Sequence, residues 1–250
     1  MKKRVMIIAG PCAVESREQI IRIAKELKKI GVDVLRGGVF KPRTNPDSFQ
    51  GLGDEGIKYL IEAKEITGLP IITELMSIEQ VRMYADKIDI IQIGARNMYN
   101  YELLKELSIY NKPVLLKRGI SATYDEWINA SKYITNGINK RVILCERGIR
   151  SFDSNTRNVL DIQAIPYIKK HTNLPIFVDP SHAAGNNYMI HDTSLAAVAA
   201  GCDGLMIEVH DRPEEALSDK EQAITPSELS IIIEDVRKIS DIIENDNYLD

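Results

Sequence analysis

Cys12 stands in the stretch IAGPCAVES, directly after an apolar run and the turn formers Gly10 and Pro11. A small cysteine in such a place serves as core packing or, ionised, as a soft ligand or nucleophile. Three further side chains bear on the choice. His182 follows a short apolar run late in the chain, Glu208 closes the last such run, and Asp219 lies in the loop HDRPEEALSDKEQAI that follows. A thiolate, an imidazole and two carboxylates make a mixed donor set suited to a first-row divalent ion, without the thiol-rich pattern of structural zinc. Spacing alone leaves packing and ligation both open.

The second chemical signal is cationic. Arg36 with Lys41 and Arg43, Arg96, Lys117 with Arg118, and Arg147 each close or follow an apolar run, and the same positions carry the acids Glu74, Glu146 and Asp179. Solvated loop charges explain any one of these. Together they would concentrate positive charge at one place in a chain of formal net charge -4. Such a funnel attracts small anions, and the arginine fork suits phosphate and carboxylate in particular. Ion pairs with Glu74, Glu146 and Asp179 are the competing explanation.

These residues need elements to hold them. Eight short runs rich in Val and Ile recur along the chain: 5–9, 34–39, 70–74, 88–93, 113–117, 141–146, 175–179 and 204–208. Amphipathic segments of helical period separate them. Ser16-Arg-Glu-Gln19, Ser77-Ile-Glu-Gln80 and Thr123-Tyr-Asp-Glu126 fit the capping-box pattern of a helix start. TGLPII, YNKPVLL and TNLPIF place Gly or Asn after a helix and Pro before the next strand, an internal echo of one repeated unit. Strands apolar along their whole length and joined by helices imply parallel pairing with both faces covered, so the expected fold is α/β, a single (β/α)8 TIM barrel. An open doubly wound sheet ranks second, because no G-x-G-x-x-G follows the first run. In a barrel of this class the active site lies at the carboxyl ends of the strands, where the charged residues fall. There the first, seventh and eighth strands are neighbours, so Cys12, His182, Glu208 and Asp219 can converge.

Bulk properties exclude several function classes. The chain of 250 residues has 44% hydrophobic and 27% charged residues, ordinary for a globular protein, and its net charge disfavours a nucleic-acid partner. Three cysteines without a CxxC pair argue against a disulfide framework. No stretch approaches the roughly 20 apolar residues of a membrane span, and the apolar run near the start is too short for a signal peptide, so the expected location is cytoplasmic. Cys145 and Cys202 read as core packing, His171 as a helix-end cation, and Trp127 with Ala130 and Ser131 as a helix packing face.

AGPCAVES (9–16), LRGGVFKPRTNPDSFQGLG (35–53), IGARN (93–97), LLKRG (115–119), CERGIRSF (145–152), DPSHAAG (179–185) and EVH...ALSDKEQ (208–222) resemble 3-deoxy-D-arabino-heptulosonate 7-phosphate (DAHP) synthase in its short type I beta branch. The resemblance covers nearly the whole chain, and KPRT at 41–44 is its most specific element. It implies a (β/α)8 barrel with one divalent metal ion (Mn, Fe, Co or Zn) that condenses phosphoenolpyruvate with erythrose 4-phosphate in the first step of the shikimate pathway. By the same resemblance Cys12, His182, Glu208 and Asp219 are the metal ligands. Arg36, Arg96, Lys117 and Arg147 hold the phosphate and carboxylate of phosphoenolpyruvate. Lys41, Arg43 and Thr44 receive erythrose 4-phosphate. Lys41 is the candidate proton donor to the aldehyde oxygen. Glu74 either positions the attacking water or pairs with Lys117, and Arg118, Arg150 and His210 are supporting or ion-pair residues. The family also suggests a homotetramer or homodimer. Since the chain starts almost at the first strand and ends soon after the eighth helix, the expectation is a single catalytic barrel over 1–250 without a fused regulatory domain or strong feedback by aromatic amino acids. The rivals are the sister enzyme that makes 3-deoxy-manno-octulosonate 8-phosphate, against which KPRT argues, and a Schiff-base aldolase using Lys117.

Overall fold

Successive residues of a strand face opposite sides, so a strand walled by helices outside and by its own barrel inside must be apolar in both registers. The eight runs meet that condition. In the computed structural model, which describes residues 4–41, 45 and 47–246, they form β1 (Met6–Gly10), β2 (Val34–Arg36), β3 (Ile71–Glu74), β4 (Ile90–Ile93), β5 (Val114–Lys117), β6 (Val142–Glu146), β7 (Ile176–Val178) and β8 (Gly204–Glu208). All pair in parallel with their chain neighbours, and β8 pairs back to β1 from Met6–Gly204 to Gly10–Glu208, which closes the barrel. Arg43 and Thr44 lie outside the described residues.

Helices α1 (Arg17–Lys29), α2 (Asp54–Thr67), α3 (Ile78–Tyr84), α4 (Tyr101–Leu107), α5 (Tyr124–Thr135), α6 (Ala164–His171), the short α7 (Pro180–Ala184), α8 (Ile190–Ala199) and α9 (Pro226–Asp246) surround it. Their starts follow the sequence signals. Thr123 and Glu126 close a full capping box. At Ser16 and Ser77 the hydroxyl accepts from the Gln19 and Gln80 amides, but each glutamine side chain reaches one residue further back, to the Glu15 and Met76 N–H groups. At the end of α2, Gly68 adopts the left-handed conformation (φ 69) that stops the helix before Pro70.

Two apolar layers result. Outward-facing Ile7, Leu35, Ile71, Ile91, Leu116, Leu144, Val178 and Ile207 pack against the helices. Inward-facing Ile8, Val34, Ile72, Ile90, Leu115, Cys145, Phe177 and Met206 fill the barrel. Gly204 is small because a Cβ there would come 2.4 Å from the Phe177 ring. Two strands stop short of the carboxyl ends of their apolar runs. β2 ends at Arg36 because the chain turns aside at Gly37-Gly38 to approach the Cys12 segment, with Val14 N–H donating to the Gly38 carbonyl at 2.9 Å. β7 ends at Val178 because Asp179 caps α7 instead, accepting from the His182 amide.

The lower rim repeats one device. Asp33, Asp89 and Asp203 each precede an even-numbered strand and accept the N–H of Ile7, Ile71 or Ile176 on the preceding strand, at 2.8, 2.9 and 2.9 Å. Each also meets a base: Arg4 at 3.2 Å, Lys64 at 2.7 Å and Lys169 at 3.6 Å. Asn139 serves before β6, bridging to the Lys112 carbonyl at 2.8 Å. This is the structural content of the sequence echo. Asp89→Ala should cost about 1–3 kcal/mol, because a strand N–H loses a charged acceptor, and Asp89→Asn should cost less. Thermal melting checks this, at roughly 2–4 °C per kcal/mol for a chain of this size.

Candidate active site

The inward register that is apolar mid-barrel becomes polar two residues further on. Val34 gives way to Arg36, Ile72 to Glu74, Ile90 to Gln92, Leu115 to Lys117, Cys145 to Arg147, Phe177 to Asp179 and Met206 to Glu208. On β1 the same step falls on Gly10, where a Cβ would lie 2.1 Å from the Arg36 carbonyl oxygen. Above this layer opens a cavity of about 420 Å³, lined among others by Cys12, Arg36, Lys41, Glu74, Arg96, Lys117, Arg147, His182 and Asp219. Every described residue that the sequence assigned to substrate or catalysis therefore faces one space.

Cys12, His182, Glu208 and Asp219 each offer a ligand atom within 4.8 Å of the others. Cys12 Sγ donates to Asp219 Oδ2 at 2.9 Å, and His182 Nε2 lies 3.2 Å from Glu208 Oε1. Asp179 holds the far side of the imidazole, 2.7 Å from Nδ1, which turns Nε2 toward the cluster. Burial pushes the Cys12 thiol up to about 12, with Glu208 adding to the rise. For Glu208 burial acts upward too, but His182, Arg36 and Lys41 reverse it and hold the carboxyl at about 2. Soft sulfur, imidazole and two ionised carboxylates at this spacing fit a divalent first-row ion. Negative charge so deeply placed needs positive charge beside it. Arg36 supplies part of it, 2.9 Å from Glu208 Oε1, and Lys41 another part, touching Cys12 Sγ and lying 3.7 Å from Asp219 Oδ2.

On the other side of the cavity Lys117 is paired with Asp179, not with Glu74. Burial would raise the Asp179 carboxyl, yet the charges of His182 and Lys117 hold it well below its ordinary range. Glu74 accepts from Gln92 Nε2 at 3.1 Å, and burial raises its carboxyl despite Lys117 and Lys41 nearby. Gly94 leaves room for it, since a Cβ there would fall 2.1 Å from Glu74 Oε1. Arg118 and Glu146 are turned away from the cavity and pair with each other at 3.0 Å, Arg118 also reaching Asp161 at 2.7 Å. His210 lies in a pocket of its own against Gln19 and Glu15. Arg150 does line the cavity, as do Arg157 and Asn158, which the sequence reading passed over. Their only signal was a loop after β6 as long as those after β2 and β8 and carrying three arginines at 147, 150 and 157.

A closed parallel barrel with clustered ligand groups and a cationic cavity at its carboxyl end is the architecture of a (β/α)8 enzyme acting on small anions. The chain belongs to the DAHP synthetase I family, whose model matches residues 1–244. It is 48% identical over 237 residues to phospho-2-dehydro-3-deoxyheptonate aldolase of Thermotoga maritima, covering 95% of this chain and 70% of that one. The crystal structure of that organism's DAHP synthase superposes with a TM-score of 0.92 at 46% identity, over 96% of this chain and 70% of the other. A 2-dehydro-3-deoxyphosphooctonate aldolase of Geobacter sulfurreducens is 32% identical, with 96% and 94% of the two chains covered. Cys12 belongs to neither apolar cluster. Cys12→Ser should therefore leave the metal-free stability within about 0.5 kcal/mol of the parent while lowering Mn²⁺ or Co²⁺ content at least ~10-fold after dialysis, measured by elemental analysis.

Proposed function

We propose that the chain is a cytoplasmic, metal-dependent DAHP synthase of aromatic amino acid biosynthesis, condensing phosphoenolpyruvate, erythrose 4-phosphate and water to DAHP and phosphate. The observation that carries this reading is the four-residue ligand cluster at the wall of the cavity that Arg36, Lys41, Arg96, Lys117 and Arg147 line. The similarity to the Thermotoga aldolase supports it, and KPRT at 41–44 supports the four-carbon sugar. Arg36, Arg96, Lys117 and Arg147 bind the phosphate and carboxylate of phosphoenolpyruvate, a trianion that needs several cations to leave water. Arg43 and Thr44, with Lys41, receive the sugar phosphate. The active assembly is a homotetramer or homodimer, as in the family the motifs resemble.

In the reaction the enol carbon attacks the aldehyde, and the aldehyde oxygen gains negative charge. Lys41 donates a proton to that oxygen. The adjoining carbon becomes cationic and takes up water, whose proton passes to Glu74. The adduct then loses phosphate and leaves the ketone. A divalent ion (Mn, Fe, Co or Zn) held by Cys12, His182, Glu208 and Asp219 supplies positive charge against the charge that develops during bond formation. Lys117 Nζ is engaged by Asp179 and does not stand free to attack a carbonyl, as a Schiff base would require.

The octulosonate reading keeps the same cavity and differs in the sugar, and the Geobacter relative is the observation in its favour. Phosphate release separates the two. Turnover is expected with erythrose 4-phosphate, to fall to near zero after chelation, and to return with Mn²⁺ or Co²⁺. Faster release with arabinose 5-phosphate would favour the sister activity, and full turnover in metal-stripped protein would remove the metal from the mechanism. A second measurement concerns Glu74. A carboxyl raised by burial works as a base only above its raised value. The acid limb of the kcat profile should therefore lie above the ordinary glutamate range, and Glu74→Gln should erase that limb and lower kcat by about 100-fold or more.

A further inference from the structure

The loop between β6 and α6 is fixed to the end of α7. Arg157 N–H donates to the Ala184 carbonyl at 3.1 Å, Asn158 N–H to the Ala183 carbonyl at 2.9 Å, and Ile149 and Val159 form an antiparallel bridge. The approach is so close that Gly185, at φ 73, would place a Cβ 2.6 Å from Arg157 Cβ. What this holds in place is a guanidinium. Arg157 Nη1 donates to Asp219 Oδ1 at 3.2 Å and to Gln222 Oε1 at 2.8 Å, and Gln222 Nε2 donates onward to Glu208 Oε2 at 2.5 Å. The other oxygen of each carboxylate faces the cluster. Asp219 Oδ2 lies against Cys12, and Glu208 Oε1 against His182, where Arg36 also reaches it.

We propose that Arg157 is a positioning residue of the metal centre: directly at Asp219, and through Gln222 at Glu208, it occupies the outer oxygen of both acidic ligands and so decides which oxygen each presents to the cation. The inference rests on the metal reading of the four-residue cluster. Asp219 has particular need of such a hold, being the one non-glycine residue at positive φ (53) among those described. Its carboxylate stands outside the strands, with Cys12 against one oxygen and Arg157 against the other. Stability is not the explanation. The Arg157 side chain is 42% exposed, and ion pairs this open to water contribute little to folding. Outer partners of metal ligands act instead by orientation, and losing one typically weakens metal binding by roughly 10–100-fold.

The test is a Co²⁺ titration of metal-free protein without substrates, followed by the thiolate-to-cobalt absorption band, beside thermal melting of the metal-free samples. Arg157→Ala should weaken Co²⁺ binding about 10–100-fold and alter the band, with little change in melting. Arg157→Lys should recover part of the affinity, since both contacts come from the one nitrogen Nη1 and an ammonium carries donors for them, but on a stem one atom shorter it meets them less closely. Gln222→Ala should weaken binding as well, and the double variant should lose less than the two single effects combined, because both act on Glu208 along one path. Arg157→Ala binding Co²⁺ within about twofold of the parent, with the same band, would overturn the proposal. So would a loss of affinity that follows a fall in metal-free melting and is not relieved by lysine. A parent protein that takes up no Co²⁺ would instead overturn the metal reading itself.

Discussion

The Arg36–Glu208 ion pair governs how the mouth of this barrel is built. Its partners belong to β2 and β8, which are not neighbours, since β1 lies between them. They meet at 2.9 Å because β1 contributes Gly10 at that level, and both side chains are nearly free of solvent, 6% and 0% exposed. A buried pair of this kind adds little net stability, because desolvation offsets most of the attraction. Loss of one partner nevertheless leaves a charge with nothing to balance it. The same holds for Lys117 and Asp179 on the opposite wall. Asp179 and Glu208 in the polar layer thus each need their base, and the apolar layer beneath supplies the rigidity that keeps the pairs in register.

That dependence explains which parts of the site were legible in the sequence. A strand has a side-chain period of two, so any charged residue two steps beyond an inward apolar one must enter the mouth. Arg36, Glu74, Lys117, Asp179 and Glu208 could be placed by that count. The same parity separates residues that the sequence reading treated alike. Arg118 and Glu146 are each one step off the inward register, and they pair with each other behind the wall at 3.0 Å. Caps were legible for a similar reason, being short-range and set by residue type. The reach of loop residues was not. Arg157 and Gln222 are 65 residues apart and meet only because the loops after β6 and β8 cross above α7, a consequence of packing that no local period encodes. Strand lengths were overestimated where a close approach, at Gly37-Gly38, or a helix cap, at Asp179, competed for the backbone.

The two ends of the barrel solve different problems with the same residue types. At the lower rim, Asp33, Asp89 and Asp203 accept strand N–H groups left over where pairing begins, and each is met by one base, with Asp33 and Asp89 partly open to water. Carboxylates there are acceptors that finish a ladder. At the upper rim Asp179, Glu208 and Asp219 sit among cations and a thiol, and two of the three are wholly buried. Carboxylates there hold charge in a place where water would otherwise hold it. The contrast follows from the loops. Those at the lower rim are short and seal the ends of strands, whereas the longer loops after β6 and β8 leave the upper layer uncovered at its centre while bringing Arg157 and Asp219 over it.

This division also bears on how relatives named for different activities can share one chain plan. The Thermotoga and Geobacter proteins align with nearly the whole of this chain at 48% and 32% identity, so what separates a seven-carbon from an eight-carbon product need not lie in the barrel. On the proposed reading, the inward layer of strand-end charges serves phosphoenolpyruvate, which the two condensations have in common. The sugar phosphates differ by one carbon, so the phosphate must be caught at a different distance from the aldehyde while the aldehyde itself stays beside Lys41. A change of that size is not made by moving Arg36, Lys117, Asp179 or Glu208, because these four are locked into buried pairs. It is readily made in the segment after β2, where Phe40, Lys41 and Ser48 line the cavity from outside the strand register. On the proposed reading, sugar length is set by that loop, and the strand ends can remain constant across both chemistries.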